Sequence, residues 1–505
     1  MKRVFTQIGR FCRSWDFLKV ILVLGLLVVF LGWEEDWRGA RDWARTKAEW
    51  EAKGVSLDRR NYVPPSVPDD QNLAAIPLFK RGTDKTDADS YHELVTLRQA
   101  MCNAAPGNQI PPMGGGMRGD LPDWKKIHDT IASDYAAAFK NTEPPKGALA
   151  QFDALYPFLA ELRDAATTRP YFRLEQDYIV DLPAGRPLGP VTDQIKVGKL
   201  LEMHALLALE DHQPDLALSD MTTNLQIASG VMQDPSLVGG LVGIGMVAIG
   251  QGTIYNGLAL HAWNDGQLVQ IQDELAKIDF LKNFQFVMRS EVVMDDVPNM
   301  DFIKNYHRAE LKKSPDVAFT QKYYIWRDGW LDENKTQIAA AFFKLAETVD
   351  PKAHRIFTKA ADDLLAQSTA TKEHWIGFAP WNLFYTVSVG PVMNAAHHYA
   401  EAQVFWIDEA RIAIALERYR LGHGVYPDSL QALVPACIPE LPHDIINGEP
   451  YRYRPLPDGT YLLYSVGWNQ VDDGGKMVFK KEPSYSIESN QGDWVWPVPH
   501  GETPK

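Results

Sequence analysis

The sequence predicts a mainly α-helical protein: an N-terminal transmembrane helix, a multi-helix body of stacked hairpins, and a small C-terminal α+β module with a β-hairpin. Three observations predict it. Phe17 to Trp33 is apolar except for Lys19. From Leu121 to Leu421 the apolar residues recur at helical spacing. Tyr451 to Val466 alternates around an Asp458-Gly459 turn, the pattern of two short strands.

At 505 residues the chain has room for two or three domains, taking roughly 150 residues per domain. Hydrophobic content of 45% and charged content of 23% are those of a chain that can bury sizeable cores. A net charge of −14, with no basic stripe beyond the N-terminus, argues against nucleic acid as a partner, because phosphates call for clustered Lys and Arg. Three cysteines, Cys12, Cys102 and Cys437, make neither a disulfide framework nor a metal-ligand spacing. With Cys12 on the near side of the apolar run, Cys102 and Cys437 are the pair left that could join. The expected organisation is a cytoplasmic tail at 1–16, the anchor at 17–33, a juxtamembrane helix at 34–60, and a Pro/Gly-rich connector at 61–120. An α-helical domain at 121–400, a module at 401–475 and a tail at 476–505 follow.

At 1.5 Å per residue, Phe17 to Trp33 rises about 26 Å, enough to span a bilayer. Trp15 on one side and Trp33 and Trp37 on the other suit the two interfaces, and Lys19 can snorkel. Lys2, Arg3, Arg10 and Arg13 precede the run while Glu34, Glu35 and Asp36 follow it. The positive-inside rule then places the N-terminus in the cytoplasm and the bulk of the chain across an inner membrane. The alternative is a cleaved signal peptide, disfavoured by the long charged region and by the lack of a small-x-small site after the run. Beyond it, Trp33, Trp37, Trp43 and Trp50 fall mostly on one helix face, expected to pack on the rest of the protein.

Asn61 to Pro77, with Pro64, Pro65, Pro68 and Pro77, reads as extended chain. Ala105 to Gly119 is a loop whose Gly114-Gly115-Gly116 run lacks the Gly-Lys-Ser/Thr ending of a phosphate loop. Asp193 to His212 and Asp215 to Met232 form an expected antiparallel pair. Asp234-Pro235 is the expected N-cap and first turn of the next helix. That helix, Ser236 to Trp263, is nearly uncharged through Tyr255 and rich in glycine; a buried core helix crossed closely by neighbours is expected, rather than a second span. Asp265 is the expected cap of the helix after it.

Chemistry-bearing constellations are few. His397, His398 and Glu401 share one helix, with His397 and Glu401 four apart, but His-Glu-x-x-His spacing and a third ligand are missing. Arg289 with Glu291 and Arg327 with Asp328 read as ion pairs or helix-face charges. There is no nucleophile elbow, dinucleotide glycine pattern or zinc spacing.

The C-terminal module starts with a helix whose buried face carries Ile412, Leu416 and Tyr419, with Gly422 expected at its left-handed end. A short helix holding Leu430 and Leu433 stops at Pro435. Asn447-Gly448 turns the chain into the hairpin, and Asp472-Asp473-Gly474-Gly475 closes the unit. The helix ending in Gly424-Val425-Tyr426-Pro427, then Ser429-Leu430-x-x-Leu433, Pro442-x-Asp444, Gly448-x-Pro450 and Tyr464-Ser465-x-Gly467 resemble, in order, the soluble domain of the type II secretion major pseudopilin. The match covers about Ile407 to Gly475. That resemblance implies a calcium-binding helix-plus-sheet fold, with Asp472, Asp473 and Asn469 contributing ligands alongside backbone, water or Asp444. A solvated turn is the alternative for this loop. The apolar helix lies nearly 400 residues upstream with no peptidase-type site before it, which argues against assembly into a fibre. The whole chain also resembles membrane-anchored proteins of the planctomycete and verrucomicrobial kind, through Pro64-Pro65-x-Val67-Pro68-Asp69-Asp70-x-Asn72, Ala413-Ile414-Ala415-Leu416 and Asp493-Trp494-Val495-Trp496; this relationship implies no particular activity.

The expected function is that of a membrane-anchored envelope protein that binds other envelope proteins as a scaffold. The alternatives are an envelope enzyme or solute-binding protein with a site near His397, His398 and Glu401, and a secretion-system component.

Overall fold

The computed structural model describes residues 15–80, 122–140, 142–174, 176–179, 189–305, 327–373, 382–479 and 487–496. The Gly114–Gly116 loop, Cys12 and Cys102 lie outside the described residues; Cys437 is buried and forms no disulfide.

The chain is mainly helical. It begins with one unbroken 38-residue helix, α1, Trp15–Ala52. The expected boundary between anchor and juxtamembrane helix therefore falls inside a single rod. Its first half is exposed apolar surface, Val28 and Val29 being 67% and 68% accessible. Its second half docks along α11, Asp328–Ala346. Two glycines permit this: a Cβ on Gly39 would lie 2.3 Å from the Gly329 carbonyl oxygen, and one on Gly329 would lie 2.3 Å from that of Glu35. The tryptophan face is divided by the docking. Trp50 is buried edge-on against Phe343, and Lys335 lies over Trp43, whereas Trp33 and Trp37 stay exposed. Asp36 accepts from Gly329 N and Arg327, so a residue of α1 caps the start of α11.

The described part of the connector, 61–80, is pinned rather than loose. The Asn72 amide exchanges hydrogen bonds with both backbone groups of Arg173, and Leu73 is fully buried.

The body is built from α2 (Trp124–Ala138), α3 (Ala148–Leu155), α4 (Phe158–Thr168), α5 (Gln194–Glu210), α6 (Pro214–Val231), α7 (Leu237–Ala259), α8 (Asp265–Ala276), α9 (Phe280–Glu291) and α10 (Val297–Asn305). The expected α5–α6 pair is present. α7 packs on α5, α6 and α9, and Tyr399 and Glu202 sit where Cβ atoms on Gly240 and Gly252 would be. Close crossing at glycines thus makes α7 a core helix, as expected. Two caps differ from expectation. Ser236, not Asp234, caps α7 by accepting from Gly239 N, while Asp234 accepts from the Ser236 hydroxyl. Asn264, not Asp265, caps α8 through a reciprocal capping box with Gln267.

A turn holding β1 (Val349–Asp350) and β2 (Arg355–Ile356) leads to α12 (Thr358–Glu373) and α13 (Leu383–Val392). A continuous helical run then carries α14 (Ala395–Ala402), a π-helical segment at Gln403–Glu409, and α15 (Ala410–His423). It crosses the expected 400/401 boundary without a break. Gly424 takes the left-handed position (φ 79°) that ends α15, two residues beyond the expected Gly422.

The hairpin pairs β3 (Arg452–Pro455) with β4 (Tyr461–Ser465), Tyr453 opposite Leu463. The expected tail at 476–505 proves partly structured. β5 (Met477–Phe479) pairs with β6 (Ile487–Gly492), and β7 (Trp494–Trp496) adds a third strand beside β4. Buried apolar residues from Trp50 to Trp496 form one contiguous core, so body and module share it.

Candidate functional site

Of the expected calcium ligands, the Asp472 and Asn469 side chains are engaged by the chain itself, and Asp473 takes part through its backbone N–H. Asp472 accepts from Gly474 N and the Tyr464 hydroxyl at 3.0 Å through Oδ1, and from Arg452 Nε at 3.2 Å through Oδ2. The Gly474 N–H and these side-chain donors hold its carboxyl below the usual range. The Asn469 oxygen turns back to Val471 N. The loop's N–H groups at Asp473 and Gly475 donate to the Asp493 carboxylate, at 3.2 and 2.6 Å. Asp444 faces the core instead. Calcium requires six to eight free oxygens, and these residues do not fit it. Among the described residues no group of three or more His, Cys, Asp or Glu is arranged to hold a metal.

His397 and Glu401 share α14, and each has a different nearest partner. The His397 ring lies 3.7 Å from that of Trp468, centroid to centroid, and its Nε2 is 3.8 Å from Asp362. Burial lowers its pKa, which keeps it neutral. Glu401 approaches His398 at 3.7 Å. Trp468 also donates to Asp362, so this corner joins module to body.

The densest chemistry lies one turn further on, in the π-helical segment. A π-helical turn adds a residue to the helix and re-aims its side chains. Here it directs two consecutive acids, Asp408 and Glu409, into the core together with Asp444; none is more than 1% accessible. Asp408 accepts from Gln403 Nε2, His354 Nε2 and the Tyr451 hydroxyl, at 3.0, 3.0 and 3.1 Å. Asp444 accepts from Ile446 N, the Ser465 hydroxyl and Val466 N, at 2.9, 2.7 and 3.2 Å. Glu409 differs: both its oxygens are sealed from water without a hydrogen-bond partner.

This contrast assigns the proton. Asp408 and Asp444 each have three donors and Glu409 has none, so Glu409 is the acid of the three least able to carry a charge and keeps its hydrogen. Burial first, then Asp444 and Asp408, push the Glu409 pKa well up; the nearby Ser465 N–H opposes this without reaching hydrogen-bond geometry. Burial also raises Asp444, against its three donors. For His354, burial opposes the charge, but the bond to Asp408 outweighs it and the pKa rises. The cluster ties the β1–β2 turn, the π-helical segment, the 444–451 loop and β4 together, and its acids are closed to solvent. Open grooves of about 480 and 510 Å³ lie elsewhere, beside Tyr62 and Phe286 and along α2.

Asp408-Glu409 was visible in the sequence as an acidic pair inside the apolar run Val404 to Ile414. Its partners His354 and Asp444 come from segments no local pattern connects to it.

A second buried network lies in the body. His204 on α5 faces Asp220 on α6 at 2.5 Å through Nδ1 and Asp153 on α3 at 2.9 Å through Nε2. Arg163 on α4 donates to Asp220 at 2.9 Å. Arg163 also lies 3.2 Å from His204 Nδ1, so ring and guanidinium share Asp220 and the network joins four helices.

No protein-family model, curated protein or solved structure matches this chain.

Proposed function

We propose that this protein is a single-span membrane-anchored scaffold of the cell envelope, with a cytoplasmic N-terminus, a body beyond the inner membrane, and other envelope proteins as its partners. The observation that carries this reading is α1. Its 36-residue stretch Phe17–Ala52 reaches a mean hydropathy of 2.3 over a window that is 6% buried, and the same rod locks onto α11. An exposed apolar half-helix continuous with a docked half suits a fixed mount. The other apolar helix, α7, is 72% buried in the same measure and supports a protein core instead. By its resemblance, the module is read as a reused pseudopilin-like fold rather than a fibre subunit.

The acidic cluster supports this reading because it joins elements and offers no opening to a substrate. The test is crosslinking of the full chain in its own membranes, then mass spectrometry. Retention in carbonate-washed membranes with a near-stoichiometric protein partner is expected. Release by carbonate overturns the anchor, and a retained small molecule without a protein partner overturns the scaffold.

A further inference from the structure

The end of the body nearest the apolar half of α1 has a particular construction. α1 and α11 run in the same direction: Gly329 meets Gly39, Lys335 lies over Trp43, and Phe343 packs on Trp50. α10 runs the opposite way, because Lys304 pairs with Asp332 at 2.9 Å and Lys335 with Asp301 at 2.8 Å. Asn305 and Arg327 therefore lie toward the same end of the body. The Arg327 guanidinium covers Gly32, its nearest atom 2.5 Å from where a Cβ would be, and Asp36 holds it at 2.6 Å. Gly32 belongs to the last turn of the apolar segment. Trp33 and Trp37 are exposed on the same two turns, and Arg41 lies over the Trp37 ring at 4.6 Å.

We infer that this end of the body is a bilayer-contacting surface, with Arg327 at the level of the phospholipid phosphates and Trp33 and Trp37 at the interface beside it. The inference rests on reading Phe17–Trp33 as a membrane span. The occupant follows from continuity, because the surface adjoins the apolar half of α1 with no break in the helix. The chemistry agrees: a guanidinium matches phosphate oxygens, and exposed tryptophans partition to the headgroup layer. The body thus stands on the membrane instead of hanging from a stalk. The rise from Trp33 to Ala52 is about 28 Å at 1.5 Å per residue. The contact between Lys53 and Glu347, with the β1–β2 turn beyond it, lies that far from the interface.

The test uses the full chain in phosphatidylcholine–phosphatidylglycerol nanodiscs, with Cys12 and Cys102 changed to Ser and Cys437 to Ala. Single fluorophores are placed through Val23→Cys, Asn305→Cys and Glu347→Cys, all at exposed side chains. A headgroup-borne spin label is expected to quench the Asn305 probe several-fold more than the Glu347 probe, and Arg327→Glu to reduce that difference. Equal quenching at Asn305 and Glu347, with the Val23 probe quenched by acyl-chain spin labels, overturns the proposal and leaves the span intact. A Val23 probe that acyl-chain labels do not reach overturns the span reading itself.

Discussion

Gly39 of α1 and Gly329 of α11 meet backbone to backbone, with no room for a Cβ on either. A helix that would otherwise leave the body as a stalk is thereby set against it. Gly39→Leu is expected to destabilise the docked half of α1 by about 1–3 kcal/mol, the usual cost of overpacking. Limited proteolysis between Trp33 and Ala52 reports it: cleavage there should become faster while the body stays resistant. Unchanged cleavage would show that the contact does not hold the helix.

Glu409→Gln is expected to gain stability relative to the wild type as pH rises through neutral, because an amide has no proton to lose. The folded-state pKa of Glu409 is raised, so the unfolded chain releases its proton first. Its contribution is intact below the ordinary carboxylate pKa and is lost as pH rises from there through the folded-state value. Chemical denaturation at a series of pH values checks this. The wild type should lose stability across that window more steeply than the variant, and parallel curves would show that Glu409 does not hold the proton.

Asp220→Asn removes the one acid shared by His204 and Arg163. Loss of that carboxylate leaves the mostly buried Arg163 guanidinium without its acid, and a destabilisation of about 3–5 kcal/mol is expected. Thermal unfolding of the purified chain measures it. A shift within error of zero would mean that water already compensates the network.

Calcium and chelator are expected to leave the unfolding temperature unchanged, because Arg452, Tyr464 and the Gly474 N–H already occupy Asp472. Asp493→Asn should destabilise the module by about 1–3 kcal/mol, since Asp493 anchors the Asp473 and Gly475 N–H groups. A calcium-dependent rise in melting temperature, abolished by Asp472→Ala, would restore the ion-binding loop.

Helices and hairpin were legible because their signals are local. The glycine-rich α7 read as a core helix from hydropathy and composition, and Asp458-Gly459 marked the turn between β3 and β4. The caps shifted by a residue or two because Asp234, Ser236, Asn264 and Asp265 are all competent acceptors, and only tertiary packing chooses among them. The site was least legible. Asp472 and Asp473 stood out by composition yet serve their own loop, whereas Glu409 gains its character from Asp444, 35 positions later, and from the absence of any donor. Such an absence exists only in three dimensions.

The third strand, β7, sets the order in which the sheet can close. β4 is complete at Ser465, but its partner Trp494–Trp496 comes some thirty residues later. Until that partner is in place the hairpin keeps one edge unpaired. Throughout that interval the helical core it will join has already been synthesised, and Phe405, which packs on Trp494 at 5.7 Å, is left without its cover. A nascent chain stalled before Trp494 would carry an open strand beside a bare aromatic surface, the kind of exposure that recruits chaperones.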